Sequence, residues 1–144
     1  MNRLTDNLDS IVDHIRASFS VKDAAREKAL PLCREVIRYC SNAIRAVHRQ
    51  EFEQAAELLQ SARSRLNEAE QAVSAYSELS TTGFIRDAQK EFAEGSITLA
   101  LVTGKQLPHP DELGIDYAAY LNGLGEAVGE LRRYLLDGMR RGDL

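Results

Sequence analysis

Proline is nearly absent from this chain. Pro31, Pro108 and Pro110 are the only three in 144 residues, and nothing between Pro31 and Pro108 forbids a helix. Over that span and beyond it, apolar residues return at helical rather than strand spacing. Leu4, Leu8, Ile11, Val12, Ile15 and Phe19 make one stripe. Ala25, Ala29, Leu32, Val36, Ile37, Tyr39, Cys40, Ile44 and Val47 make the next. The pattern predicts a long helix from about Asn2 to Arg49, bent or broken between Ser18 and Pro31. A second helix is expected from Gln50 to Leu79 on Phe52, Ala55, Leu58, Leu59, Ala62, Leu66, Ala69, Val73 and Tyr76. Ser80 to Gly83 reads as a turn with an N-cap. A third helix runs from Gly83 to Val102, closed by Gly104. The prolines and Gly114 mark residues 105–115 as the one substantial loop. A last helix starts at Asp116, a natural N-cap, and reaches Met139, with Tyr117, Tyr120, Leu121, Leu124, Val128, Leu131, Leu135 and Leu136 as its apolar stripe. Residues 1–144 thus read as a single all-α domain, a bundle of long antiparallel helices.

Charge narrows the function classes. The net charge is −4, with 28% charged and 44% hydrophobic residues. Residues 1–66 carry 11 Lys and Arg against 9 Asp and Glu, and residues 67–144 carry 7 against 13. Overall acidity argues against a bulk electrostatic nucleic-acid binder but leaves room for a local basic surface. No apolar run approaches the roughly 20 residues of a membrane-spanning helix. Asp6, Asp9 and Asp13 stand where a secretory signal would be apolar, so a cytoplasmic location is expected. Cys33 and Cys40 lie roughly 10 Å apart along one helix, too far for a disulfide within it, and are read as reduced thiols.

The chemistry resides in glutamates. Glu91 and Glu94 are three residues apart and share a helix face. Glu126 and Glu130 are four apart and share another. Gly95, Gly125 and Gly129 adjoin them, and glycines inside helices suggest close approach by a helix or ligand. Two neighbouring helices would then offer four carboxylates to a hard cation such as Mg²⁺ or Mn²⁺. A di-iron centre needs Glu-x-x-His, which neither pair has. The same spacing also fits a solvated surface, with Glu130 paired to Arg133 or Arg34. Arg34, Arg38, Arg45 and Arg49 form a basic ridge beside His48, and Arg86 and Lys90 flank the first acidic pair. Such a rim can hold phosphates; it can equally make salt bridges to neighbouring helices.

Three runs carry a family resemblance: CREVIRYCSNAIRAVHR (33–49), GFIRDAQKEFAEG (83–95) and LPHPDELGIDYAAYLNGLGEAVGELRR (107–133). In this order and spacing they resemble translin and translin-associated factor X, most closely the prokaryotic, archaeal-type members. The resemblance implies an all-helical fold and closed octameric shells that bind single-stranded RNA or DNA. It also implies a Mg²⁺-dependent endoribonuclease of the translin-associated factor X kind. Glu91, Glu94 and Glu130 match glutamates of that branch, and Glu126 stands where the family has an aspartate. On the nuclease expectation that this resemblance implies, Glu91, Glu94 and Glu126 hold Mg²⁺ (or Mn²⁺) and its water, with Glu130 as a fourth ligand or as the base beside that water, while Arg34, Arg38, Arg86 and Lys90 hold backbone phosphates. Translin itself lacks the full acidic set and binds without cutting. A non-catalytic single-strand-binding oligomer is therefore the alternative. The family's chains continue beyond LRRYLLDGMRRGD with further helices, which this chain is expected to lack.

Overall fold

The computed structural model describes residues 3–143. Six helices follow one another: α1 (Leu8–His48), α2 (Phe52–Val73), α3 (Ser77–Ser80), α4 (Gly83–Val102), α5 (Pro110–Leu113) and α6 (Tyr117–Arg141). No strand occurs among the described residues. The all-α expectation holds. At a rise of 1.5 Å per residue, α1 is about 60 Å long.

The long first helix is present, from Leu8, and of the two outcomes expected near Pro31, bent or broken, it is not broken: it runs through Pro31 as one element. A proline inside a helix costs about 3 kcal/mol, through its missing hydrogen bond and the clash of its ring with the preceding turn. That cost is met by the packing that begins beside Pro31. From Ala29 onward α1 buries Ala29, Cys33, Val36, Cys40, Ala43 and Val47. Across from them α2 buries Ala55, Leu59, Ala62, Leu66, Ala69 and Val73. Both sets step by four and three residues, the seam spacing of a coiled coil, and the many alanines let the helices come close. The three-residue link 49–51 makes α1 and α2 an antiparallel hairpin.

Before Ala29 the helix has no such partner. Leu4, Leu8, Ile11, Val12, Ile15 and Phe19, the first apolar stripe of the sequence, are all exposed. The expected second helix also stops early, at Val73. A turn and the one-turn α3 replace its last residues, and Thr82 precedes α4 with its hydroxyl on the Leu79 carbonyl (2.7 Å) rather than on the helix.

Helix α4 is the hub. It packs on α1, α2 and α6 and accordingly buries an arc including Ile85, Ala88, Phe92, Ala93 and Ile97. Residues 105–115 return the chain to the start of α6. They are pinned by Arg63, which donates to the Leu113 and Glu112 carbonyls, and by the Tyr120 hydroxyl on the Pro108 carbonyl (2.8 Å). Helix α6 starts where expected: Asp116 accepts from the Ala118 and Ala119 amides at 2.9 and 3.3 Å.

The buried face of α6 differs in part from the expected one. It is lined by Ala119, Gly123 and Ala127, with Tyr120 and Leu124 of the expected stripe packed half-buried beside them and Leu131 half-buried further on, while Tyr117, Leu121, Val128, Leu135 and Leu136 are exposed. Gly123 explains this. A Cβ there would lie 2.7 Å from the Ala93 Cβ and 2.8 Å from the Lys90 carbonyl oxygen. Small residues on α6 let its backbone lie directly on α4, an approach that a stripe of leucines would prevent.

Candidate metal centre

That close approach sets the site. Glu91 and Glu94 adjoin Lys90 and Ala93, the residues of α4 that Gly123 lies against. Glu126 and Glu130 follow Gly123 by one and two turns on α6. One carboxylate oxygen each from Glu91, Glu94 and Glu126 lies within 4.8 Å of the others. Octahedral Mg²⁺ with ligands at about 2.1 Å spaces them by roughly 3 to 4 Å, so the cluster can close on such an ion with little movement. Its donors are all hard oxygens, which suit Mg²⁺ or Mn²⁺ and give no thiolate or imidazole to a softer metal.

Electrostatics point the same way. Glu94 is 7% exposed. Burial first, then its hydrogen bond to Glu126 and the charges of Glu91, Glu126 and Glu130, push its carboxyl up to about 8. Glu91 is also raised, by burial first, against the lowering effect of Lys90. The Lys90 ammonium is the resident counter-charge, 3.2 Å from Glu126 and 3.7 Å from Glu91. Burial works against its charge, but Glu126, Glu91 and Asp87 outweigh it and leave Lys90 raised. Cys40 lies buried near Glu91 and Glu94, and burial followed by these two charges drives its thiol far upward, so it is inert.

Glu130 lines the same cleft of about 340 Å³ but stands outside the three-carboxylate cluster. Its Oε2 is 2.5 Å from Nε2 of His48, the last residue of α1, a partner that neither Arg133 nor Arg34 supplies. Sequence reasoning placed His48 beside the ridge and gave it no role. The 82 residues between it and Glu130 hide the pair from any local pattern.

The basic residues divide. Ser41, Arg45 and Arg133 line the cleft. Arg34 and Arg38 do not; they are exposed on α1 and share the Ser41 and Arg45 stripe at i, i+4, i+7 and i+11, Arg38 roughly 5 Å and Arg34 roughly 10 Å along the helix beyond Ser41 at its edge. Arg86 is half-exposed, 3.9 Å from Asp116 at the start of α6. Arg49 is turned to Glu51 at 3.2 Å. The expectation of close approach holds for Gly95, where an added Cβ would lie 2.8 Å from the Leu59 side chain on α2, and fails for Gly125 and Gly129, which face open space. Gly123, which the carboxylate pattern does not flag, is the one that brings the helices together.

Fold and site together define an all-α protein in which two closely packed helices present a carboxylate cleft beside a basic helix face. Solved structures share this architecture. AfC3PO in complex with duplex RNA superposes with a TM-score of 0.84 at 30% identity, over 92% of this chain and 68% of that one. AfC3PO alone gives 0.83 at the same identity and coverage. Apo-NeC3PO gives 0.72 over 98% of this chain and 73% of that one; at 16% identity it speaks to the fold alone. An uncharacterized protein of Methanocaldococcus jannaschii is 28% identical over 144 aligned residues, and this chain spans 60% of its length. No protein-family model matches the chain. The chain belongs to the translin/C3PO family, as an archaeal-type member.

Proposed function

We propose that this chain binds RNA along the basic face of α1 and cuts it at the carboxylate cleft between α4 and α6, as a Mg²⁺- or Mn²⁺-dependent endoribonuclease. The convergence of Glu91, Glu94 and Glu126 within 4.8 Å carries the reading. RNA is the substrate class because AfC3PO, at 30% identity, has been solved with duplex RNA.

In this reading Glu91, Glu94 and Glu126 would hold the ion, which when bound supplies Lewis-acid charge and a water acidic enough to attack a phosphodiester. The residues themselves do the rest. Burial first, and then the hydrogen bond to Glu126 and the like charges of Glu91, Glu126 and Glu130, raise the carboxyl of Glu94, and a cation relieves that crowding. Glu130, close by but tied to His48, accepts the proton of the attacking water. Arg45 and Arg133 grip phosphate at the cleft, and Arg38 and Arg34 continue the grip along α1. Lys90 neutralises the carboxylates and stands ready beside the phosphate. Arg86 extends the rim at the far end of α4. Copies of the chain assemble through the apolar stripe that α1 leaves exposed, which brings several basic faces to one RNA.

The test is incubation of the purified protein with labelled single-stranded RNA and with a short duplex, in Mg²⁺, in Mn²⁺ and in EDTA. Cutting is expected with either ion and none with EDTA. Glu126→Gln is expected to abolish cutting and leave RNA binding intact or slightly tighter. Tight binding with no cutting in either ion would overturn the nuclease reading and leave a non-catalytic binding assembly.

A further inference from the structure

The four glutamates are not equivalent, and the reason lies on α1. His48 closes that helix, and its side chain is only 6% exposed. Nε2 meets Glu130 Oε2 at 2.5 Å. Nδ1 is buried with no hydrogen-bond partner. A hydrogen on Nδ1 would be a donor buried with no acceptor, whereas one on Nε2 has the Glu130 carboxylate to donate to. The geometry therefore favours the ring donating from Nε2 to Glu130. Tyr134, one turn beyond Glu130 on α6, stands beside the imidazole with ring centroids 6.4 Å apart and helps fix its plane. Helices α1 and α6 come together only near this end of α1, where the hydrogen bond crosses between them.

We propose that His48 is a positioning residue that keeps Glu130 out of the metal's ligand set and so divides the four carboxylates into three ligands and one water-orienting base. The proposal rests on the nuclease reading above. Three oxygens, from Glu91, Glu94 and Glu126, lie together; Glu130 borders the same cleft but has one oxygen committed to the imidazole. The commitment fixes the carboxylate plane. Its other oxygen remains for a water. Without the imidazole, nothing on α1 would hold Glu130 back, and a flexible glutamate beside a divalent cation turns toward it.

A positioning role and a merely structural one predict different signs. His48→Leu removes the donor and keeps an apolar body in the packed site. It is expected to bind Mn²⁺ several-fold more tightly, because Glu130 joins the ion. Single-turnover cutting at saturating Mn²⁺ is expected to fall about 10- to 100-fold, the usual consequence of removing a group that orients a ligand or base. The KM for RNA is expected to be unchanged. His48→Gln restores an N–H donor of similar reach and is expected to recover both properties. If His48→Leu leaves Mn²⁺ affinity and rate as they were, or weakens both without rescue by glutamine, the proposal is overturned. Glu130→Gln gives an independent check that does not disturb His48. It is expected to lose cutting while keeping wild-type Mn²⁺ affinity, and a marked fall in affinity would make Glu130 a ligand and overturn the division. A wild-type protein that neither binds Mn²⁺ nor cuts RNA overturns the nuclease reading itself. One that does both, with either variant behaving otherwise than stated, overturns this inference alone.

Discussion

Gln50 holds a backbone that glutamine seldom adopts, with φ at +63°. It sits just past the end of α1. The Gln50 amide bonds to the Val47 carbonyl and the Glu51 amide to the Ala46 carbonyl, both at 2.9 Å. Helices α4, α5 and α6 close with the same paired bonds, and there the left-handed residue is Gly104, Gly114 or Gly142. Gln50→Gly is therefore expected to stabilise the fold by roughly 0.5–1 kcal/mol, read from urea or thermal unfolding, because the strained Cβ is gone. Glu94 also costs stability, in a pH-dependent way. Its carboxyl is raised to about 8 in the fold, against an ordinary value of 4.5. Between those values the folded chain binds the extra proton, so stability falls as pH rises from about 4.5 to 8. Glu94→Gln is expected to flatten that decline and to raise the Tm at pH 8 by a few degrees, at roughly 2–4 °C per kcal/mol for a chain of this size. A decline that persists in the variant would assign it to another group. The acidic pairs were legible because i, i+3 and i, i+4 spacing alone puts side chains on one face. His48 was not, since its role is created by a meeting of the end of α1 with the middle of α6.

At the scale of elements, three glycines on one helix are expected to respond to the same substitution with two signs. Gly125 and Gly129 face open space, so alanine at either is expected to stabilise α6 by up to about 1 kcal/mol through helix propensity. At Gly123 an added Cβ meets the Lys90 carbonyl oxygen at 2.8 Å and the Glu94 amide nitrogen at 3.0 Å. These are backbone atoms that cannot rotate away. Gly123→Ala is expected to destabilise the fold by about 1–3 kcal/mol despite the better propensity, as overpacking does. It is also expected to weaken Mn²⁺ binding, because Glu126 is carried away from Glu91 and Glu94. Equal stability changes at all three glycines would show that α4 and α6 are not held together at Gly123. The number and order of long helices were readable from periodicity, since each carries an apolar stripe long enough to average out local noise. Which face α6 buries was legible only in part: Tyr120 and Leu124 pack on the core as expected, but close packing selected Ala119, Gly123 and Ala127 for its centre, residues that hydrophobicity ranks below Leu121, Leu135 and Leu136, which stay outside. At Pro31 the sequence left a bend and a break both open; packing of α1 on α2 and α4 keeps the helix unbroken through it.

Considered whole, the molecule is acidic yet carries a basic track, and it leaves apolar stripes on α1 and α6 uncovered. The track is testable by salt. Removing one arginine that neutralises a phosphate should flatten the dependence of log Kd on log salt concentration by about 0.7–0.9. Arg34→Ala with Arg38→Ala is therefore expected to weaken RNA binding and reduce the slope by roughly 1.5, whereas an unchanged slope would remove this part of α1 from the phosphate path. The uncovered stripes bear on assembly. No helix among the described residues is long and apolar enough to cross a membrane, so a bilayer does not account for Leu8, Ile11, Val12, Ile15 and Phe19 as a spanning segment. A helix with no tertiary packing is marginal in water, and these residues precede the first buried position of α1 by ten or more. Each apolar side chain covered would contribute roughly 1–2 kcal/mol, so a second copy laid along the stripe can stabilise both helix and assembly. Ile11→Glu with Ile15→Glu places two charges one turn apart on that face and touches nothing buried in the bundle. The pair is expected to shift sedimentation toward the monomer while leaving the cooperative unfolding of α1's packed half and α2 unchanged. Leu121→Glu with Val128→Glu applies the same perturbation to the exposed face of α6. If the α6 pair dissociates the assembly and the α1 pair does not, the interface lies on α6. If neither pair changes the sedimentation, neither apolar stripe is an interface between copies of this chain.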